Sequence, residues 1–181
     1  MDIIETIDVR GGILVGHDGS AAATSALRTA LRCAEVFGPH VQVVRAWTLA
    51  TAETPSSYSP GYMPSYEDFE AATLEALERD VAAVVAEHPD AEVSCSVVHG
   101  NASHRLIDAS SRVELIVVGG RGHGGFAGLL LGSVSDQVVR HARCRVLVDR
   151  VAANAEPKTE ERSEEALQRA LVSELKLDDS D

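Results

Sequence analysis

Two hydrophobic periods alternate along this chain, and their order predicts its elements. "GILVG", Gly12 to Gly16, is a short continuous apolar run, and "SAAATSALRTALRCAEVFG" after it places Ala23, Leu27, Ala30, Leu31 and Ala34 on one helical face. Ser20 stands where that helix needs an N-cap and Gly38 where it needs a stop. "VQVVRAW", Val41 to Trp47, is a second strand. Thr48 to Ser65 carries Pro55, Pro60, Pro64 and Gly61 among serines and tyrosines, which predicts a long irregular loop; loops of that length are lids, binding segments or disordered. Helical spacing returns at Leu74, Leu77, Val81, Val84 and Val85 and ends near Pro89, which cannot continue a helix.

Strict alternation in "EVSCSVV", Glu92 to Val98, sends Val93, Cys95 and Val97 to one side, the pattern of a half-exposed edge strand. A short helix around Leu106 and Ile107 leads to "ELIVV", Glu114 to Val118, which is apolar throughout and suits a central strand covered on both faces. A glycine-rich stretch, a helix from about Ser133 to His141 and a fifth strand, "RVLVD" from Arg145 to Asp149, complete the pattern. Strands alternating with helices predict an α/β fold built on a parallel sheet. Beyond residue 151 the chain turns acidic, and Leu167, Leu171 and Leu175 recur every four residues, so an amphipathic helix within a charged tail is one reading and a solvated tail the other. The expected organisation is an N-terminal segment over 1–10, a folded domain over 11–151 and the tail over 152–181.

Composition narrows the function classes. At 181 residues and 45% apolar, the chain is long enough for a real core. Its net charge is −12, and both the folded part and the tail are acidic, which argues against a broad nucleic-acid or anionic-membrane footprint. There is no apolar run of membrane-spanning length, and the N-terminus is acidic where a signal peptide would be basic, so a cytoplasmic location is expected. Cys33, Cys95 and Cys144 are isolated and odd in number, so buried thiols are expected rather than a disulfide framework or a CxxC metal site. His99 and His104 lie five apart with no acidic or cysteine partner at ligand spacing. The only lysines, Lys158 and Lys176, are in the tail, so any chemistry needing a lysine in the folded part is excluded.

That exclusion decides how the glycine-rich stretch "VVGGRGHGGFAGLLLGSVS" is read. A P-loop fails for want of its lysine. Gly120, Gly122 and Gly125 match GxGxxG literally, but that fingerprint belongs at a first strand–helix turn and opens straight into a helix. The spacing Gly119, two residues, Gly122, nine residues, Gly132, Ser133 makes better physical sense. Gly119 and Gly122 leave a central strand and, lacking Cβ, let backbone N–H groups approach a ligand. Gly132 and Ser133 open the next helix, whose unpaired N–H groups and partial positive charge bind phosphate without a lysine. Ser133 and Ser135 add hydroxyl donors, Arg121 a charge-assisted one, and His123 lies inside the loop. A plainer reading is also open, in which Ser133 is only an N-cap and the glycines only turn the chain.

The G-x2-G-x9-G-[ST] spacing, together with "VGHDGS" after the first strand, resembles the universal stress protein family over roughly Gly11 to Arg150. The resemblance implies a five-stranded parallel sheet of order 3-2-1-4-5 with helices on both faces, and ATP as ligand together with Mg²⁺. It implies an ATP site made of Gly16, Asp18, Ala46, Gly119, Arg121, Gly122, Gly132, Ser133, Val134 and Ser135. In it Asp18 contacts the nucleoside or a nucleotide-bound Mg²⁺, and Ala46 lines the adenine pocket. Asp18 also has a local reading, as the turn-forming Asp of "HDGS". The family further implies a homodimer through the fifth strand, although Arg143, Arg145, Asp149 and Arg150 surround that strand's short apolar core here. A nucleotide-dependent regulator or adaptor in stress adaptation is the function expected. A slow metal-dependent ATPase, and a dimeric module that binds no nucleotide, are the alternatives.

Overall fold

In the computed structural model the elements follow one another as β1 (Ile13–Gly16), α1 (Ala21–Phe37), β2 (His40–Trp47), α2 (Tyr66–Ala86), β3 (Glu92–His99), α3 (Ala102–Ala109), β4 (Leu115–Gly119), α4 (Ser133–His141) and β5 (Arg145–Asp149). The structure describes residues 4–122 and 131–150. By its contacts the chain divides into units 1–151 and 152–181. The expected tail helix on Leu167, Leu171 and Leu175 lies outside the described residues, as do His123, Gly125 and most of the spacer before α4.

Every neighbouring pair is parallel and the strand order is β3-β2-β1-β4-β5, as the resemblance implied. β2, β1 and β4 are covered on both faces, which explains their unbroken apolar runs. Alternation along β1 divides the core. Ile13 and Val15 join Leu27 and Ala30 of α1 and Leu77, Val81 and Val84 of α2. Leu14 faces the other way, with Leu106 and Ala109 of α3 and Val138 of α4. Burial of each leucine, isoleucine or valine among these is worth about 1.5–3 kcal/mol, so the two faces anchor β1 from both sides. The segment before β1 is anchored too: Ile7 and Val9 are buried in the second cluster, the Arg112 guanidinium donates to the Ile7 carbonyl at 2.9 Å, and His99 N–H donates to the Ile4 carbonyl at 2.7 Å.

Local chemistry sets the helix starts. Ser20 Oγ accepts from Ala23 N–H, Ser65 and Asp68 form a reciprocal capping box, and Asn101 Oδ1 accepts from His104 N–H. Gly38, at φ 102°, ends α1 in a conformation L side chains rarely adopt. The long loop leaves and returns at a ring cluster, Trp47 edge-on to His99 at 4.9 Å and His99 edge-on to Tyr66 at 5.9 Å. α4 differs from the other three: Gly132 holds its N-cap position and no side chain caps it.

Candidate functional site

α1 and α2 pack on one face of the sheet, α3 and α4 on the other, so the connections diverge where β1 lies beside β4. A crevice opens there at the carboxyl ends of the strands, the usual ligand position in open α/β sheets. It forms a cavity of about 760 Å³. All ten residues expected from the sequence line it: Gly16 and Asp18 at the end of β1, Ala46 on β2, Gly119, Arg121 and Gly122 at the end of β4, and Gly132, Ser133, Val134 and Ser135 at the start of α4. A loop after β1 and a loop after β4, a hundred residues apart in sequence, are thereby brought to one cleft.

The glycines have separable reasons. A Cβ on Gly119 would stand 2.9 Å from the Ala22 carbonyl carbon, so this glycine lets α1 lie against the end of β4. A Cβ on Gly122 would collide with the Asp18 carboxylate, so this glycine makes room for the loop opposite. Gly132 is different: its φ of −76° suits any residue, and a Cβ there would find ordinary contacts at 3.5 Å. Nothing in the described chain requires a glycine at that position. The loop is tied down by its backbone, with Gly120 N–H donating to the Asp149 carbonyl at 2.6 Å and Gly132 N–H to the Gly120 carbonyl at 2.8 Å.

The two serines of α4 have different duties. Ser133 is exposed at the first helical position. Ser135 is buried, and its hydroxyl donates to the carbonyls of Gly120 and Gly132 at 3.2 and 3.0 Å. Its proton is engaged within the loop here, where it joins β4 to α4 while the residue lines the cleft.

Asp18 turns the chain as well as facing the cleft, since its Oδ1 accepts from Ser20 N–H at 3.0 Å. Behind it lies a buried polar group that the sequence reading missed. Arg45, from β2, donates through Nε to the His17 carbonyl at 3.3 Å; its Nη2 lies 3.2 Å from His17 Nδ1 and 2.6 Å from Asp80 Oδ2 on α2. Gly19 N–H also points at Nδ1, at 3.2 Å. Both neighbours of Nδ1 are donors, so Nδ1 is the acceptor and the ring proton sits on Nε2. Burial, reinforced by the Arg45 charge and opposed by Asp18 and Asp80, lowers the His17 pKa from 6.5 to about 4, so the ring is neutral at physiological pH. An arginine inside the apolar run "VVRAW" was the available signal, because a buried guanidinium requires a partner. Ile7, Thr51, Glu53, Asn101 and Arg105 also line the cleft, and they come from segments whose pattern carried no site motif.

Among the described residues no three His, Cys, Asp or Glu side chains cluster as metal ligands. The donor set does not fit an all-protein Mg²⁺ site; the lining carboxylates are Asp18 and Glu53, and Asp18 fits only the mode in which phosphates supply most of the coordination. Burial raises the Cys95 and Cys144 thiols, which keeps them protonated and poorly nucleophilic. No helix of the described residues is long and apolar enough to cross a membrane.

Comparison with known proteins agrees with this architecture. A universal stress protein of Mycobacterium tuberculosis is 35% identical over 142 residues, covering 76% of this chain and 45% of its own. A second, from Mycolicibacterium smegmatis, is 31% identical over 143 residues, covering 79% of this chain and 47% of its own, so the chain spans about half the length of these curated relatives. Among solved structures, the universal stress protein UspA from Lactobacillus plantarum superposes with a TM-score of 0.58 at 23% identity, covering 80% of this chain and all of its own. A universal stress protein in complex with cAMP gives 0.55 at 23%, covering 77% and 95%, and one from Archaeoglobus fulgidus in complex with dAMP gives 0.54 at 21%, covering 77% and 98%. The Universal stress protein family matches residues 11–150, and with these relatives and the strand order that match places the chain in the universal stress protein family.

Proposed function

We propose that the protein binds ATP in the β1/β4 cleft and acts as a nucleotide-dependent regulator or adaptor in stress adaptation. One observation carries this reading. At the cleft end of α4, a glycine that the described chain does not need leaves the first N–H groups of the helix without a side-chain cap. Those donors and the helix dipole favour an anion, and a phosphate chain supplies one at the scale the cavity accepts. The apolar lining from Ile7, Val44, Ala46 and Val98 suits a purine, with Asp18 placed for the ribose or a phosphate-borne Mg²⁺. Two structural neighbours were solved in complex with cAMP and dAMP, which supports a nucleotide as the ligand.

Isothermal titration with ATP and Mg²⁺ tests the reading, alongside adenine-nucleotide analysis of protein purified from cells and then denatured. Saturable heat and released nucleotide are expected. No heat and no nucleotide would favour the dimeric module that binds none, and ATP turnover above that of an Asp18→Ala control would favour the ATPase.

A homodimer through β5 belongs to the same proposal. Among the described residues β5 pairs only with β4 and ends the sheet. Two of its charges are already engaged within the chain: Asp149 accepts from Ser25 and Thr29 of α1 at 3.0 and 2.8 Å, and the Arg145 guanidinium lies 5.7 Å from the Phe37 ring centroid. Light scattering that reports a dimer, and a monomer after Val146→Pro, is the expected result.

A further inference from the structure

Asp18 reaches the cleft on a loop of four residues, His17 to Ser20, that has no helix or strand of its own. Asp18 Oδ1 holds the outgoing end of that loop, accepting from Ser20 N–H. The incoming end is held from beneath. Arg45 bonds both the carbonyl and the ring of His17, the residue directly before Asp18, and His17 Nδ1 in turn accepts from Gly19 N–H, directly after it. The guanidinium that makes this grip is 8% exposed and is neutralised by the Asp80 carboxylate. A buried, planar donor with several bonds in fixed directions can adopt one orientation here, and it passes that orientation to the backbone on both sides of Asp18.

We infer that Arg45 and Asp80 are positioning residues for nucleotide binding: acting through His17, they fix the Asp18 carboxylate where it faces the phosphate loop. That carboxylate lies directly against Gly122, so its placement bears on the loop after β4. Because Asp80 sits on α2, which follows directly from the loop over 48–65, the grip also ties the position of that helix to the ligand side of the cleft.

This inference rests on the nucleotide reading and can fail separately from it. The test is a double-mutant cycle in the full chain, read by titration with ATP and Mg²⁺. Arg45→Met and Asp18→Asn are each expected to weaken binding about tenfold, while the double variant binds no more weakly than Asp18→Asn alone. Multiplying losses in the double variant, or unchanged affinity in Arg45→Met, would overturn the inference. Asp80→Asn keeps an acceptor for Arg45 and guards against an Arg45 variant that fails to fold; it is expected to lose about threefold, and to lose nothing further in the Asp18→Asn background. The ¹³Cγ resonance of Asp18, followed in the free protein, separates the two readings. If it moves in Asp80→Asn while the wild type binds no ATP, the nucleotide reading falls and the positioning role stands. If it does not move, the positioning role falls whatever the titration shows.

Discussion

His17 should make the protein sensitive to acid in a window where histidines usually do the opposite. Its ring is buried, and its Nδ1 accepts from Gly19 and Arg45; protonation would put a proton on that acceptor and a second positive charge beside Arg45. The folded pKa is about 4 against 6.5 for the unfolded chain, so between those values the unfolded state binds a proton that the folded state refuses. Stability therefore rises with pH across the window and is lost as pH falls from 6.5 toward 4. At about 1.4 kcal/mol per pH unit the whole effect is about 3 kcal/mol, most of it gone by pH 4.5. Urea unfolding at pH 7.5, 6.5, 5.5 and 4.5 measures it, with His17→Asn as the comparator. Asn places an amide oxygen near the position of Nδ1 and does not titrate, so carboxylate effects common to both proteins cancel in the difference. The wild type is expected to lose about 2.5 kcal/mol more than His17→Asn over this range. Parallel curves, within roughly 1 kcal/mol throughout, would refute the buried neutral histidine and the network drawn around it.

Other outcomes follow from the same geometry. Gly122→Ala should reduce ATP affinity because its methyl displaces the Asp18 carboxylate, while stability stays within about 0.5 kcal/mol since that side-chain end can swing aside, as read by titration and thermal melts. Gly119→Ala pushes against the backbone of Ala22 and should cost about 1–3 kcal/mol in urea unfolding whether or not nucleotide is present. Ser135→Ala removes the donor to two loop carbonyls and should cost about 1 kcal/mol of stability, whereas exposed Ser133→Ala should leave stability within about 0.5 kcal/mol and act on ATP affinity alone.

The features legible in the sequence share a physical origin: each is written in consecutive residues. The strands at 13–16, 40–47, 92–99, 115–119 and 145–149 lie on short apolar or alternating runs, and the caps at Ser20 and Gly38 sit beside the helix they end. The glycine loop after β4 and the start of α4 were legible for the same reason, because a turn out of a strand and a helix start leave local glycine and serine marks. The reasons behind those marks were not. Gly119 and Gly122 answer to Ala22 and Asp18, about a hundred residues earlier in the chain, and no local pattern distinguishes a glycine that admits a ligand from one that admits another loop. Arg45 is a charged residue inside an apolar strand, but its partner Asp80 lies on an exposed turn of α2, and only the packing of α2 beside β2 brings the two within 2.6 Å.

The same distinction bears on which part of the cleft sets its chemistry. Backbone donors at the start of α4 are generic: they favour phosphate on any nucleotide and carry little power to choose among them. Choice has to come from groups with a fixed direction, and in this cleft those are side chains held by buried partners, Asp18 through the His17 and Arg45 grip foremost. Loss of the α4 donors should therefore weaken all nucleotides alike, while loss of Arg45 should fall more heavily on ligands that use Asp18. Titrating ATP, dATP and inorganic triphosphate against Arg45→Met separates the two, because triphosphate has no ribose for Asp18 to meet. A loss for triphosphate as large as that for ATP would show that the grip serves the phosphates instead.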